Sequence, residues 1–333
     1  MGRNGLDIPT IAGYLGAKTR LAPILIELIA KAKGTTMYGE LFGGMGVTLL
    51  NKPPHSKEIY NDLSVENYSI FKCFASPDLS EDFIDRILQS EYSQETYEAY
   101  RSKYDTEFRD KISDCFKALQ AGELPEVLLN WREENLLELG VTSLILTKMS
   151  PRGLMSAKSF AGYYTGLEEQ EYENWKINLY TYAERLKNVE ILNRDALSIL
   201  RENADNPNAV FLCDSPYNGE NSNYDPATYN TGAAGVLSEK KKLGKKDEIK
   251  SAKQIAQEED NKFQKTYMST IQHIKCKVIV CGYDNDLYPK YLTEELGWTK
   301  HLVGELSKSA KNNGLGEMRD RVEEWVWVNY DIS

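Results

Sequence analysis

The chain has 333 residues, a formal net charge of -10 and 27% charged residues, which fits one sizeable domain carrying a smaller inserted one. No run approaches the roughly 18 uninterrupted apolar residues of a membrane span, and the opening MGRNGLDIPT lacks the apolar core of a signal peptide, so a soluble intracellular protein is expected. The five cysteines form no CxxC pair and the three histidines lie far apart, which predicts reduced thiols and no metal; the acidic total argues mildly against nucleic acid as partner, although local basic patches override a total.

Past GYLGAKTR, residues Leu21, Ile24, Leu25, Leu28 and Ala32 fall at helical spacing, with Pro23 tolerable in a first turn and Gly34 as the stop. TTMYGELF then reads as a short strand, GGMG as a glycine turn and VTLLN as the start of another helix. KEIYNDL is a second short strand, ending in Asp62. Strand, glycine turn, helix and acid-ended strand make the nucleotide-binding half of a doubly wound α/β sheet. Without side chains at Gly43, Gly44 and Gly46, a ligand can approach the backbone closely. Asp62 lies about twenty residues past the glycines, the separation at which a strand-end carboxylate reaches a ribose hydroxyl. Glu40, directly before the turn, would repel the pyrophosphate of a dinucleotide. It suits a ligand with ribose and amino groups but no phosphate, and S-adenosylmethionine meets that description. An acid that only caps or solvates a turn explains Glu40 equally well on this motif alone.

The middle of the chain reads differently. SEDFIDRILQ and REENLLELGVTSLILTKM have helical spacing. SPRGLMSAKSFAGYYTG breaks the helix with Pro151 and Gly153, mixes Arg152 and Lys158 with Phe160, Tyr163 and Tyr164, and contains no acid. Cationic and aromatic residues on a loop suit a DNA groove; an exposed loop with aromatics packed beneath it is as good an account of any single member.

Strands ending in polar chemistry then return. NVEILNRDAL leads into Asp195, NAVFLCDSPY is a continuous apolar strand into Asp214, CKVIVCGYD is a third, and EEWVWVNY closes the series. Ligands of an open α/β sheet sit beyond the carboxyl ends of its strands, so Glu40, Asp62, Asp195 and Asp214 are expected along one edge. Pro216 fixes the backbone where the strand leaves the sheet, and Tyr217 offers a flat face beside Asp214. A planar base with an exocyclic amino group fits there: the Asp214 carboxylate accepts one amino hydrogen, the Ser215 carbonyl the other, and Tyr217 stacks on the ring. Those bonds favour a nucleophilic nitrogen attacking a methyl sulfonium in line, with no metal, and a base inside a duplex would have to be flipped out to reach them. Asp, Ser and Pro also make ordinary turns.

These motifs, in this order, resemble the Dam-type (class alpha) N6-adenine DNA methyltransferases, over most of the chain. The resemblance implies a Rossmann-like S-adenosylmethionine-dependent methyltransferase sheet with an inserted, mostly helical target-recognition domain. GYLGAKTRLAP is similar to the family's N-terminal cofactor motif, implying Tyr14 and Lys18 near the methionine part; ELFGGMGVTLL implies Glu40 and Phe42 at the cofactor; IYNDLSVEN implies Asp62 at the ribose; ILNRDALSIL implies Asp195 and Ala196 at the adenine ring. DSPY takes the place of the family's Asp-Pro-Pro-Tyr, which makes Asp214, Ser215, Pro216 and Tyr217 the expected catalytic residues. Ser215 departs from the usual proline; its backbone carbonyl can serve, and a serine in this motif also resembles the cytosine N4-methylating relatives. Catalytic parts are expected at 1–63 and 181–333, with the recognition domain at 64–180, where the family holds a recognition hairpin; Arg152, Lys158, Tyr163 and Tyr164 are the expected DNA contacts. A polar basic loop at 221–261 containing SEKKKLGKKDEIKSAK would order over phosphates, although charge runs are usually solvated.

The expected partner is double-stranded DNA, without membrane or metal, in the cytoplasm of a bacterium or of a phage-infected host. An N4-cytosine or RNA adenine methyltransferase and a catalytically inactive DNA-binding relative are the alternatives. A dehydrogenase is disfavoured by Glu40 and the missing third glycine, and cytosine-carbon methylation by the lack of any Pro-Cys dipeptide.

Overall fold

The structure, a computed structural model, describes residues 6–13, 18–162, 166–215, 261–307 and 321–333. In chain order the first elements are α1 (Ala22–Lys31), β1 (Met37–Glu40), α2 (Val47–Asn51), β2 (Lys57–Asn61), α3 (Val65–Ala75), α4 (Ser80–Leu88) and α5 (Gln94–Lys103). A π-helical turn at Tyr104–Phe108 leads into α6 (Arg109–Gln120), α7 (Glu126–Glu134) and α8 (Leu136–Met149), followed by 3-10 turns at Pro151–Gly153 and Met155–Ala157, then α9 (Glu168–Lys176) and α10 (Leu179–Leu186). The chain continues with β3 (Val189–Leu192), α11 (Ala196–Glu202) and β4 (Ala209–Cys213), a helical segment over 261–271, here α12, and β5 (Lys277–Tyr283), β6 (Thr299–Ser307) and β7 (Arg321–Val328).

The strands are ordered β3-β2-β1-β4-β5-β7-β6, a Rossmann-like doubly wound order with one reversed strand. The chain folds as two units, Met1–Ile26 with Phe42–Ala196 and Glu27–Leu41 with Leu197–Ser333.

The first unit is chiefly helical. α8 is buried at nearly every position, so it carries no amphipathic stripe; at about 1.5–3 kcal/mol per fully buried aliphatic side chain it anchors the unit. α3 approaches it closely because Gly140 has no Cβ, which would sit 2.7 Å from the Cys73 sulfur and 3.1 Å from the Ser69 carbonyl. Phe74 packs edge-on to Phe83 at 4.9 Å and Tyr182 at 5.5 Å. β2 and β3 pair in parallel, Tyr60 level with Ile191. A buried ion cluster fixes the turn before β2: Glu58 takes Lys52 and Arg185, and Arg185 also donates to the Leu49 carbonyl at 2.6 Å. Burial pushes the Glu58 carboxyl up, but the hydrogen bonds and charges of Arg185 and Lys52 carry it below its ordinary value.

In the second unit β1, β4 and β5 run parallel, and β7 enters antiparallel between β5 and β6. Every residue of β4 is buried, as a central parallel strand requires. Gly39 in β1 makes room for a neighbour: a Cβ there would meet the Phe211 ring at 2.5 Å.

Two details of the helical region differ from what its sequence suggests. The helical spacing of REENLLELGVTSLILTKM is divided between two helices, α7 and α8, with a break at Asn135 of φ -102° and ψ 7°. The described residues 150–162 form 3-10 turns in place of paired strands, so no hairpin is present among them.

Candidate active site

The glycine turn lies between β1 and α2. Gly43 N–H donates to the Asn61 carbonyl at 2.9 Å and Gly46 N–H to that of Gly43 at 2.8 Å. Gly44 and Gly46 take left-handed φ of 51° and 59°, which glycine adopts without a Cβ penalty. The glycines also serve the core. A Cβ on Gly43 would sit 2.2 Å from the Tyr60 ring and one on Gly46 2.8 Å from Phe71, and these two rings stack at 3.8 Å. Tyr60 closes the turn by donating its hydroxyl to the Gly44 carbonyl at 2.6 Å. Packing therefore demands the glycines, beside any approach by a ligand.

Asp62 follows β2 and is 9% exposed. Its Oδ2 accepts from Gly44 N–H at 2.7 Å and from Asn67 Nδ2 at 3.1 Å, and its Oδ1 from Ser64 N–H at 2.8 Å. Burial pushes this carboxyl above its ordinary value, against the pull of those hydrogen bonds. Three of the roughly four acceptor positions of a carboxylate are thus met by the protein; Asp62 ties the glycine turn to the start of α3, where Ser64 caps the helix by accepting from Asn67 N–H.

The end of β3 is fastened to the same corner. Asn61 and Arg194 exchange two hydrogen bonds of 3.0 Å, and Asn193 donates to the carbonyls of Asp62 at 2.8 Å and Leu63 at 3.0 Å. Arg132 on α7 donates to Asn193 at 2.8 Å while its guanidinium lies 4.4 Å over the Tyr68 ring. Asp195 is half-buried and directly precedes α11, whose first residue Ala196 is buried, a position suited to helix capping. Lys18 is 7% exposed, and its carbonyl accepts from Leu21 and Ala22 at the start of α1. Phe42 is half-buried. Tyr60, Asn67, Arg132 and Asn193 were not singled out from sequence; only the Ser64-x-x-Asn67 spacing of a capped helix signals any of them.

In the second unit, β1 and β4 stand where the strand order reverses, the place where ligands of doubly wound sheets bind. Glu40 ends β1 level with Leu212, so the Asp214-Ser215 pair lies just beyond it on the neighbouring strand. Glu40 is 6% exposed and accepts from the Tyr38 hydroxyl at 2.9 Å, the two side chains sharing one face of the strand. Asp214 is half-buried. Ser215 is 1% exposed, and its hydroxyl has no hydrogen-bond partner among the described residues. Burial pushes the adjacent Cys213 thiol well up; a protonated buried thiol is no nucleophile.

The turns after α8 carry the two basic candidates. Arg152 and Lys158 are exposed, with left-handed φ of 57° and 50°, uncommon for residues with a Cβ. The turns beneath them are fastened: Arg101 donates to the Met155 carbonyl at 3.0 Å, Ala161 N–H to that of Met149 at 2.8 Å and Tyr92 to that of Gly162 at 3.3 Å. Phe160 packs 5.0 Å from Tyr92 and 6.0 Å from Tyr97, so this aromatic is used within the unit. Tyr14, Tyr163, Tyr164, Pro216 and Tyr217 lie outside the described residues, as does the expected basic loop save Asn261, which begins α12.

Among the described residues, no helix is long and apolar enough to cross a membrane, and no group of His, Cys, Asp or Glu could hold a metal ion. A search of curated proteins found no match. The family model of the D12 class N6 adenine-specific DNA methyltransferases matches residues 14–280, a range holding the glycine turn, the acid-ended strands and the DSPY motif, in agreement with the Dam-type resemblance. The chain belongs to the D12 class N6 adenine-specific DNA methyltransferase family.

Proposed function

We propose that the protein transfers the methyl group of S-adenosylmethionine to the exocyclic N6 of an adenine flipped out of a specific site in double-stranded DNA. The observation that carries this reading is the pair of neighbouring parallel strands, β1 and β4, that end in Glu40 and in Asp214-Ser215 where the strand order reverses.

The residues fit the methyl donor. A buried carboxylate on Glu40 disfavours a pyrophosphate and suits hydroxyl or amino groups. Lys18, Phe42, Gly43, Gly44, Gly46 and Asp62 would hold the methionine and ribose parts, Asp195 and Ala196 the adenine ring, with Tyr14 near the methionine part. When bound, the donor supplies a methyl carbon made electrophilic by its sulfonium. Asp214 accepts one hydrogen of the target amino group and the Ser215 carbonyl accepts the other, which holds the nitrogen lone pair towards that carbon and stabilises the positive charge developing on nitrogen. Transfer would form the new N–C bond as the C–S bond of the donor broke with its electron pair kept on sulfur, and the surplus amino proton would leave to solvent. Pro216 would stiffen the motif and Tyr217 would stack on the base.

Residues 64–180 serve in this reading as the target-recognition domain, with 1–63 and 181–333 forming the catalytic part. Arg152, Lys158, Tyr163 and Tyr164 contact DNA, and the lysines of 221–261 meet phosphates.

The test is mass spectrometry of nucleosides from unmethylated duplex DNA of mixed sequence, incubated with the protein and S-adenosylmethionine. N6-methyladenine is expected. N4-methylcytosine would overturn the base assignment, and unmodified DNA would overturn the reaction.

A further inference from the structure

The 3-10 turn Pro151–Gly153 lies backbone to backbone with Gly13, the first residue of the N-terminal motif GYLGAKTRLAP. A Cβ on Gly153 would sit 1.9 Å from the Gly13 carbonyl oxygen, and one on Gly13 would sit 3.3 Å from the Arg152 carbonyl carbon and the Gly153 nitrogen. Gly153 has φ 71°, so it is glycine for two reasons at once, its backbone conformation and its neighbour. The nearest atoms that each added Cβ would meet are backbone atoms.

Both sides are held from behind. Ile11 and Ala12 are fully buried, Thr10 hydrogen-bonds to the Ala12 carbonyl at 2.9 Å, and Tyr182 reaches the Thr10 carbonyl at 3.3 Å. On the other side Gly153 N–H closes the turn on the Ser150 carbonyl at 3.0 Å, and Arg101 holds the next turn through Met155. Densely packed contacts of this kind transmit displacement rather than absorb it. A shift of Gly13 therefore moves the turn that presents Arg152, and a shift of the turn moves Gly13.

From this we infer that Gly13 and Gly153 are positioning residues that link the N-terminal cofactor motif to the Arg152 turn, so that binding of the methyl donor and binding of DNA strengthen each other. The inference rests on the functional reading above for what each side binds. Linkage then requires one factor in both directions: the cofactor raises DNA affinity by as much as DNA raises cofactor affinity.

The experiment measures the affinity of the full-length protein for a fluorescent duplex containing its methylation site, with and without saturating S-adenosylhomocysteine, the non-reacting product. Wild type is expected to show a coupling factor of roughly 5–150. In Gly153→Ala the factor should fall towards one, and in the milder Gly13→Ala it should fall part of the way, with thermal unfolding confirming that each variant is folded. Arg152→Ala should weaken DNA binding with and without the product by the same ratio, since its side chain is not in the contact. A wild-type coupling factor in folded Gly153→Ala, or in Gly13→Ala should Gly153→Ala not fold, overturns the inference. Wild-type protein that binds both partners with no coupling overturns it too, while wild-type protein that binds neither removes the functional reading beneath it.

Discussion

Asp62 leaves β2 into a corner where Gly44, Ser64 and Asn67 donate to its carboxylate, whereas Asp214 leaves β4 half-buried, followed by a serine whose buried hydroxyl meets no partner among the described residues. Both are acids at the carboxyl ends of parallel strands. The first is built into its own chain, so its loss should be felt in stability. The second stands where the strand order reverses, beside a polar group that the described residues leave unmatched, and buried polar groups are normally matched; its loss should be felt in chemistry.

The largest expected effect is that of Asp214→Ala, which should lower the methyl-transfer rate by at least about 10²–10³-fold, the scale of losing one stabilising group at a developing charge, with little change in the thermal midpoint. Asp62→Ala should lower stability as well as weaken the hold on the methyl donor proposed for it. It strands three donors in a buried site, at about 1–3 kcal/mol for each that finds no water, and denaturant unfolding measures the loss. Gly43→Ala drives a methyl group into the Tyr60 ring and should cost about 1–3 kcal/mol by the same measurement.

Acidity sharpens the contrast within the scaffold itself. The Glu58 carboxyl, held below its ordinary 4.5, contributes stability that is present above that value and is lost as pH falls through its depressed folded value; Glu58→Gln should flatten this acid limb. Asp62, raised above its ordinary 3.8 by burial, has the opposite sign: its contribution is full below 3.8 and is lost as pH rises through the folded value. Unfolding free energies measured from pH 3 to 7 separate the two. The smallest effect is expected at Ser215. Ser215→Ala should leave stability unchanged or raise it slightly, because a buried hydroxyl without a partner is unfavourable, and Ser215→Pro should keep its activity if the carbonyl alone is needed.

The strands that frame the site were legible because a central parallel strand is apolar on both faces: AVFLC and KVIVC admit little else. β6 escaped notice because it is an edge strand. Lys300, His301 and a half-exposed Leu302 interrupt any alternation, and the register shifts between Leu302 and Gly304. The break between α7 and α8 was invisible because α8 is buried all round, so no change of periodicity marks its start. The acids Glu40, Asp62 and Asp214 could be picked out as strand-end residues, but the partners of Asp62 could not. Asn193 reaches its carbonyl from 131 residues away, and no local pattern encodes such a bond. The glycine turn was legible in position and incomplete in cause, since the Tyr60 and Phe71 rings that require Gly43 and Gly46 come from β2 and α3.

The division between a building acid and a reacting acid is tested most directly by a single-turnover assay of N6-methyladenine formation by Asp214→Ala, at saturating S-adenosylmethionine and DNA, paired with its denaturant midpoint. The account requires a wild-type midpoint and a rate reduced by at least about 10²-fold. A near-wild-type rate, or a loss of rate that merely follows a loss of folded protein, would contradict it.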